Sequence, residues 1–363
     1  MRKIKQVTGR ITEIDSRLIE RAQERLNQLT KPLGSLGRLE ELAKQIVGIT
    51  GEETPNFKNK VIFTLAADHG IAEEKVSAYP KEVTAQMVYN FLKGGAGINV
   101  LAGHIGARVV IVDMGVCSDL RPHPRLIIKK INYGTRNMAK GPAMSRAEAI
   151  MSVEAGIAVF EHEFSANGVS VSGGKNGIDI IGTGEMGIGN TTASSAITAV
   201  FTGAGVKDVT GRGTGVDDKT LKNKIELIKK ALKINAPNPR DPIGVLAKVG
   251  GFEIGGLAGI IMAAASRRVP VVIDGFISGA AALLAYHLQP RVKGYMIAGH
   301  CSVEKGHRII LGHIGLNPLL DLELRLGEGT GAALGINIAE AAIKILTRMA
   351  TFKSANVSER GCG

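Results

Sequence analysis

The sequence predicts an α/β protein with a mostly parallel sheet covered by helices on both faces. Two observations carry this reading. Short apolar runs alternate with longer segments of helical spacing, and the runs end in polar or glycine-rich stretches: AADHG, IVDMG, IIGTGEMG, VIDGF and MIAGH. Strands buried on both faces read as continuous apolar runs, and ligands bind at their carboxyl ends. The 363 residues allow a large buried core and about two domains.

Residues 17–29 place Leu18, Ile19, Ala22, Leu26 and Leu29 at helical spacing, with Asp15 and Ser16 as candidate caps. A turn at Pro32 and Gly34 leads to a second helix from 35 or 36 to 47, and the pair forms a helical N-terminal lobe. VIFTLAADHG, from Lys60, is a buried strand ending at Asp68, His69 and Gly70. Pro80 suits the start of a helix that stops at Gly94 and Gly95. A short helix at 98–102, strands at 108–113 and 126–131, and a helix over 145–164 follow.

The segment IDIIGTGEMGIGNTT, residues 178–192, reads as strand, anion-binding turn and helix. Gly182, Gly184, Gly187 and Gly189 let backbone N–H groups approach a ligand. Asn190, Thr191 and Thr192 offer polar groups where a helix at 193–201 begins. Glu185, in the middle of that turn, repels a phosphate unless it faces something cationic or protonated, which points to catalysis or substrate polarisation beside the phosphate. A second glycine turn (TGRGTG, 210–215), a charged helix (218–232) and a linker (NPRDP, 238–242) come next. A small-residue helix then enters the strand VPVVIDGF, followed by a helix at 279–288 and a strand at 295–298. Glu328 stands in a glycine turn before a long helix to about 352, which is expected to return to the N-terminal lobe because both otherwise expose apolar faces. Residues 354–363 read as a frayed tail.

Composition narrows the function. The formal charge is +12, but aromatic residues are 4% and Trp is absent, so stacking platforms for nucleic acid are missing while anionic small molecules remain suitable partners. No apolar run reaches spanning length and the basic N-terminus lacks a signal-peptide core, so we expect a cytoplasmic protein without a membrane partner. Cys117, Cys301 and Cys362 lack CxxC spacing, in keeping with a reducing compartment.

Several motifs have competing readings. GTGEMG satisfies GxGxxG, with Asp208 about twenty residues on, yet Asp208 ends no convincing strand and Glu185 sits in the pyrophosphate path, which favours a mononucleotide phosphate turn. Asp217 and Asp218 resemble a ribose-gripping acidic pair, but no strand leads into them, so capping by Asp218 is expected. His300, Cys301, His307 and His313 match no compact zinc pattern and are read as structural or capping. Asp68 and His69 are either an acid/base pair or a loop anchor. Glu328 is either helix N-terminal charge or a proton acceptor in an apolar, partly desolvated site.

Seven separated motifs occur together: KPLGSLGRLE from Lys31, ADHGIAEEKVSAYPKEVTAQM from Ala67, GEMGIGNTT from Gly184, NPRDPIGVLAKVGGFEIGGLAG from Asn238, VVIDGFISGAAAL from Val271, GHCSVEKGH from Gly299 and LRLGEGTGAAL from Leu324. In content and order, over nearly the whole chain, the set resembles the nicotinate-nucleotide:dimethylbenzimidazole phosphoribosyltransferases of cobalamin nucleotide-loop assembly. The resemblance implies a Rossmann-like domain at 59–325, a small helical domain from 1–58 and 326–363, and a homodimer. It implies transfer of phosphoribose from nicotinate mononucleotide to 5,6-dimethylbenzimidazole with inversion, giving α-ribazole phosphate and nicotinate, with no cofactor or metal. Glu328 matches the family's catalytic base, and Glu185 and Lys224 match two further active-site positions. Glu185 is expected to assist Glu328 or stabilise charge on the ribose, and Lys224 to contact phosphate. Gly187, Asn190, Thr191, Thr192 and Ser302 are the candidate nucleotide contacts. Tyr79 and Met87 stand in the base-pocket stretch where better-known relatives carry smaller or polar groups, which leaves the base open among benzimidazoles, purines and phenols. An NAD-dependent oxidoreductase and a noncatalytic nucleotide-binding protein are the rival readings, and neither accounts for paired carboxylates in glycine turns.

Overall fold

Alternation along one strand decides the layering. In Lys60–Ala67 (β1), Val61, Phe63, Leu65 and Ala67 enter one hydrophobic core, whereas Ile62 and Ala66 enter another on the opposite face. The structure, a computed structural model, describes residues 1–166 and 177–358; Cys362 and the end of the expected tail lie outside the described residues. Five more strands complete the sheet: Arg108–Gly115 (β2), Leu126–Ile128 (β3), Ile180–Met186 (β4), Val271–Ile273 (β5) and Met296–Ala298 (β6). All neighbours are parallel, in the order β3-β2-β1-β4-β5-β6, the Rossmann order, whose direction of growth reverses between β1 and β4. The crevice at that reversal is where such sheets bind ligands.

Helices Arg146–Ala166, Asn190–Thr202, Phe252–Ser266 and Phe276–Leu288 fill the first core. Phe252–Ser266 is buried along nearly its whole length, and its small residues permit close approach: a side chain at Gly256 would strike Leu65 and Met114, and one at Gly259 would strike the Val153 carbonyl. The second face is covered by Ser16–Asn27, Arg38–Thr50, Val83–Lys93, Gly97–His104 and Thr330–Arg348. Thr330–Arg348 packs on Arg38–Thr50 and Ser16–Asn27, so the two chain ends meet as expected. Asp15 caps Ser16–Asn27 by accepting from the backbone N–H groups of Arg17 and Leu18, a contact worth about 1 kcal/mol.

Several expectations need correction. Gly182 and Gly184 lie within β4, not in a turn, and the following helix starts at Asn190 rather than 193. Glycine patterning looked like a loop, but here it serves packing: a side chain at Gly184 would collide with the Glu328 carbonyl and one at Gly182 would press on Ala332 and Ile62. Asp217, not Asp218, caps Asp218–Asn235 by accepting from Thr220 N–H, and Asp218 instead pairs with Arg212. Helices Arg2–Thr8, Pro242–Val249 and Lys305–Ile314 were not anticipated. Arg2–Thr8 buries Ile4 and Val7 in the first core, against Phe252–Ser266, away from the N-terminal lobe. The NPRDP linker is a capped start, with Asp241 accepting from Gly244 N–H and Pro242 in the first turn. The C-terminal helix stops at Arg348, and Phe352–Ala355 forms a short helix where a frayed tail was expected. Leu29 bridges Thr351 there and ties the end down.

Candidate active site

Two carboxylates reach the crest of the sheet from opposite faces. In β4, Gly184 pairs with Thr64 and Glu185 with Leu65, so alternation turns Glu185 toward the first core's side. Glu328 comes from the second face, in the turn before Thr330–Arg348, and Thr64 donates its hydroxyl to the Glu328 carbonyl at 3.0 Å. Glu328 adopts a left-handed backbone (φ 64), flanked by Gly327 (φ 82) and Gly329 (φ 102). That conformation is rare for a residue with a side chain and persists only where surroundings enforce it. The enforcing group is Asp274, just past β5. Its carboxylate accepts from the N–H groups of Gly329 (3.1 Å), Gly331 (2.7 Å) and Ala332 (3.0 Å), gathering the free donors of the helix start. His300, after β6, places Nε2 3.7 Å from Asp274.

The carboxylates are buried, at 6% exposure for Glu185 and 5% for Glu328. Burial, reinforced by the charges of Glu253 and Asp274, pushes Glu185 up to about 8, against the hydrogen bond from Asn190 Nδ2. Glu185 is therefore mostly protonated at neutral pH, which removes the repulsion that an ionised carboxylate would present to a phosphate. Burial likewise raises Glu328, opposed by Ile98 N–H, which donates to its Oε2 at 3.2 Å at the start of Gly97–His104, and aided by the charge of Asp274.

Beside Glu185 opens a cavity of about 530 Å³. Glu185, Gly187, Asn190 and Thr191 form one wall, and Ser302 and Tyr79 lie on others, so six of the expected site residues line one space. Lys224 stands behind that wall: its Nζ donates to Thr191 Oγ1 at 2.7 Å, and burial holds its ammonium down to about 8, partly restored by the Glu304 charge. Thr192 is fully buried beneath the wall. Glu328 and Met87 are not on the cavity surface. The Glu328 carboxylate turns toward Gly97–His104, and Met87 packs half-buried against the second core. Gly327 links the two acids, because a side chain there would strike Glu185 Oε1.

Other contributors were missed by sequence reasoning. Gly213 and Thr214 bring the second glycine turn to the cavity, where Thr214 Oγ1 accepts from Ala78 N–H at 3.0 Å and so positions Tyr79. Glu304 clamps that turn by accepting from Gly213 N–H at 2.7 Å. The only signal for Glu304 was its place in GHCSVEKGH. Asp68 and His69 anchor loops: Asp68 accepts from Cys117 N–H at 2.7 Å, and His69 meets buried Glu253 at 2.7 Å. Of the scanned histidine cluster, His307 Nδ1 accepts from Ser302 N–H at 2.9 Å, and burial beside His300 pushes it down to about 3. Among the described residues no group of three or more His, Cys, Asp or Glu side chains has the geometry of a metal site. No helix among them is long and apolar enough to cross a membrane.

Comparison with known proteins gives this site a context. A family profile described as phosphoribosyltransferase matches residues 11–357. The chain is 55% identical over 359 residues to the nicotinate-nucleotide–dimethylbenzimidazole phosphoribosyltransferase of Geotalea uraniireducens (strain Rf4), covering 99% of each. It is 57% identical over 349 residues to the enzyme of that name from Geobacter metallireducens (strain ATCC 53774 / DSM 7210 / GS-15), covering 96% of each. The crystal structure of the nicotinate-nucleotide–dimethylbenzimidazole phosphoribosyltransferase from Thermus thermophilus superposes with a TM-score of 0.88 at 40% identity, over 96% of this chain and all of that one. Matches of this depth over the full fold, with the carboxylates and the crevice already in view, place the chain in the nicotinate-nucleotide–dimethylbenzimidazole phosphoribosyltransferase family of enzymes.

Proposed function

We propose that this protein transfers the phosphoribosyl group of nicotinate mononucleotide to 5,6-dimethylbenzimidazole or a related base by one inverting displacement. The observation that carries the reading is the pair of buried carboxylates at the crest, Glu185 and Glu328, joined through Gly327 and both raised above their ordinary value by burial. One ring nitrogen of the acceptor attacks C1′ of the ribose while Glu328 takes the proton from the other nitrogen. The bond from C1′ to the pyridinium nitrogen breaks, its electron pair neutralises the ring, and nicotinate leaves. Attack opposite the leaving group turns the β-linked donor into an α-linked product. The leaving group already carries the charge, so the displacement balances without a metal or a diphosphate.

The phosphate lodges against Gly187, Asn190 and Thr191 at the start of Asn190–Thr202, with Ser302 opposite and Lys224 supplying charge through Thr191. Thr192 supports this wall from below. Glu185 stabilises positive charge developing on the ribose as its proton is lost, which a neighbouring cationic donor promotes. Glu328 moves from Ile98 toward the cavity when the acceptor arrives, and the acceptor pocket runs from Tyr79 toward Met87. The small helical domain of 1–58 and 326–363 flanks this pocket, and two chains form a homodimer.

The test is nicotinate release from nicotinate mononucleotide, with chromatography of the products, using 5,6-dimethylbenzimidazole as acceptor and adenine in parallel. Release coupled to an α-linked ribotide is expected, and the two rates rank the bases. Absence of release with both bases would sink the proposal.

A further inference from the structure

Away from the cavity, two imidazoles meet at the surface. His287 lies in the last turn of Phe276–Leu288 and His313 in the last turn of Lys305–Ile314, two helices packed side by side. Their Nε2 atoms are 3.3 Å apart. Aromatic packing holds both rings. Phe201 stacks on His287 at 4.1 Å between centroids, and Tyr286 meets His287 and His313 edge-on at 5.8 and 6.3 Å.

We propose that His287 and His313 form a surface site for a divalent first-row transition ion such as zinc, held through both Nε2 atoms with water completing its coordination. The separation fits. Tetrahedral zinc with Zn–N distances of about 2.0–2.1 Å sets its two nitrogen ligands about 3.3–3.4 Å apart. Imidazole suits zinc, copper and nickel. Both histidines stand in the last turn of a helix, where the partial negative charge of the helix end favours a cation. His313 is exposed, giving the ion a path from solvent, and neither histidine borders the cavity. Two protein ligands make an exchangeable site that couples the ends of two helices. The competing account of the same distance is a neutral imidazole pair sharing one N–H.

Calorimetric titration of the chelator-treated full-length protein with zinc decides between them, repeated with cobalt(II), whose visible absorption reports ligation. The comparison uses wild type, His313→Ala and His287→Phe; the second variant keeps a ring on Phe201 while removing the nitrogen, and thermal melting verifies that both variants fold. Wild type is expected to bind zinc stoichiometrically with a rise in melting temperature and a cobalt band. Each variant is expected to weaken zinc binding by at least about tenfold and to lose the band, with unchanged phosphoribosyl transfer in zinc-free buffer. Equal zinc binding by all three proteins, or none by wild type, overturns the site and leaves the shared N–H.

Discussion

At the residue scale, two similar side chains, Glu185 and Glu328, are buried in different surroundings. Glu185 sits at the end of a strand, with neighbouring carboxylates adding to the effect of burial, whereas Glu328 stands in a turn and accepts from a backbone N–H. Glu328→Gln keeps the shape and removes the proton acceptor. Turnover is expected to fall by about 10²- to 10⁴-fold while nicotinate mononucleotide binding stays within a small factor of wild type. Steady-state kinetics with an equilibrium binding measurement checks this, and wild-type turnover in the variant refutes the role. The motif resemblance named both acids. Their environments were not legible, because the charges that raise Glu185 come from Glu253 and Asp274, far away in sequence.

At the scale of elements, the turn at 327–329 is held from three sides: Asp274 accepts from Gly329 N–H and from Gly331 N–H in the helix that follows, Thr64 holds the Glu328 carbonyl, and Gly184 leaves room beneath it. Gly184→Ala places a methyl group on the Glu328 carbonyl. Overpacking of this kind costs about 1–3 kcal/mol, and displacement of the turn is expected to reduce turnover more than the stability loss alone explains. Thermal unfolding and kinetics on the same preparation separate the two effects. Unchanged values for both would show that the close approach is dispensable. The sequence displayed the glycines, but it could not distinguish a flexible turn from a strand pressed under another segment. Local patterning is the same in both cases; only the neighbour across the sheet differs.

At the scale of the whole molecule, burying ionisable groups around one crevice makes stability depend on pH. A carboxyl whose pKa rises from 4.5 to about 8 on folding binds its proton more tightly in the folded chain, so its contribution to stability falls as pH climbs through that window. Lys224, lowered from 10.5 to about 8, acts in the opposite direction above that range, because there the unfolded chain holds more protons. His307, pushed from 6.5 down to about 3, lowers stability as pH drops below 6.5. Urea unfolding of wild type and Glu185→Gln from about pH 5 to 8 isolates the carboxyl. The variant is expected to gain on wild type steadily with pH, by several kcal/mol in total. Parallel pH profiles would refute the buried proton.

The sequence by itself determined the layered α/β class, the strands that end in polar or glycine residues, the meeting of the two chain ends, and the family. These follow from periodicity, turn chemistry and motif order, all of them local or additive along the chain. Tertiary structure alone decided that Gly182 and Gly184 are strand residues, that Asp217 is the cap, and that Asp274, Glu304 and Thr214 build the site around residues already named. It also decided that Glu328 rests against Gly97–His104 while Glu185 faces the cavity. The physical reason is distance along the chain. A hydrogen bond from Gly331 to Asp274 spans 57 residues and one from Thr64 to Glu328 spans 264, and no local pattern encodes a partner that only the folded sheet brings within 3 Å.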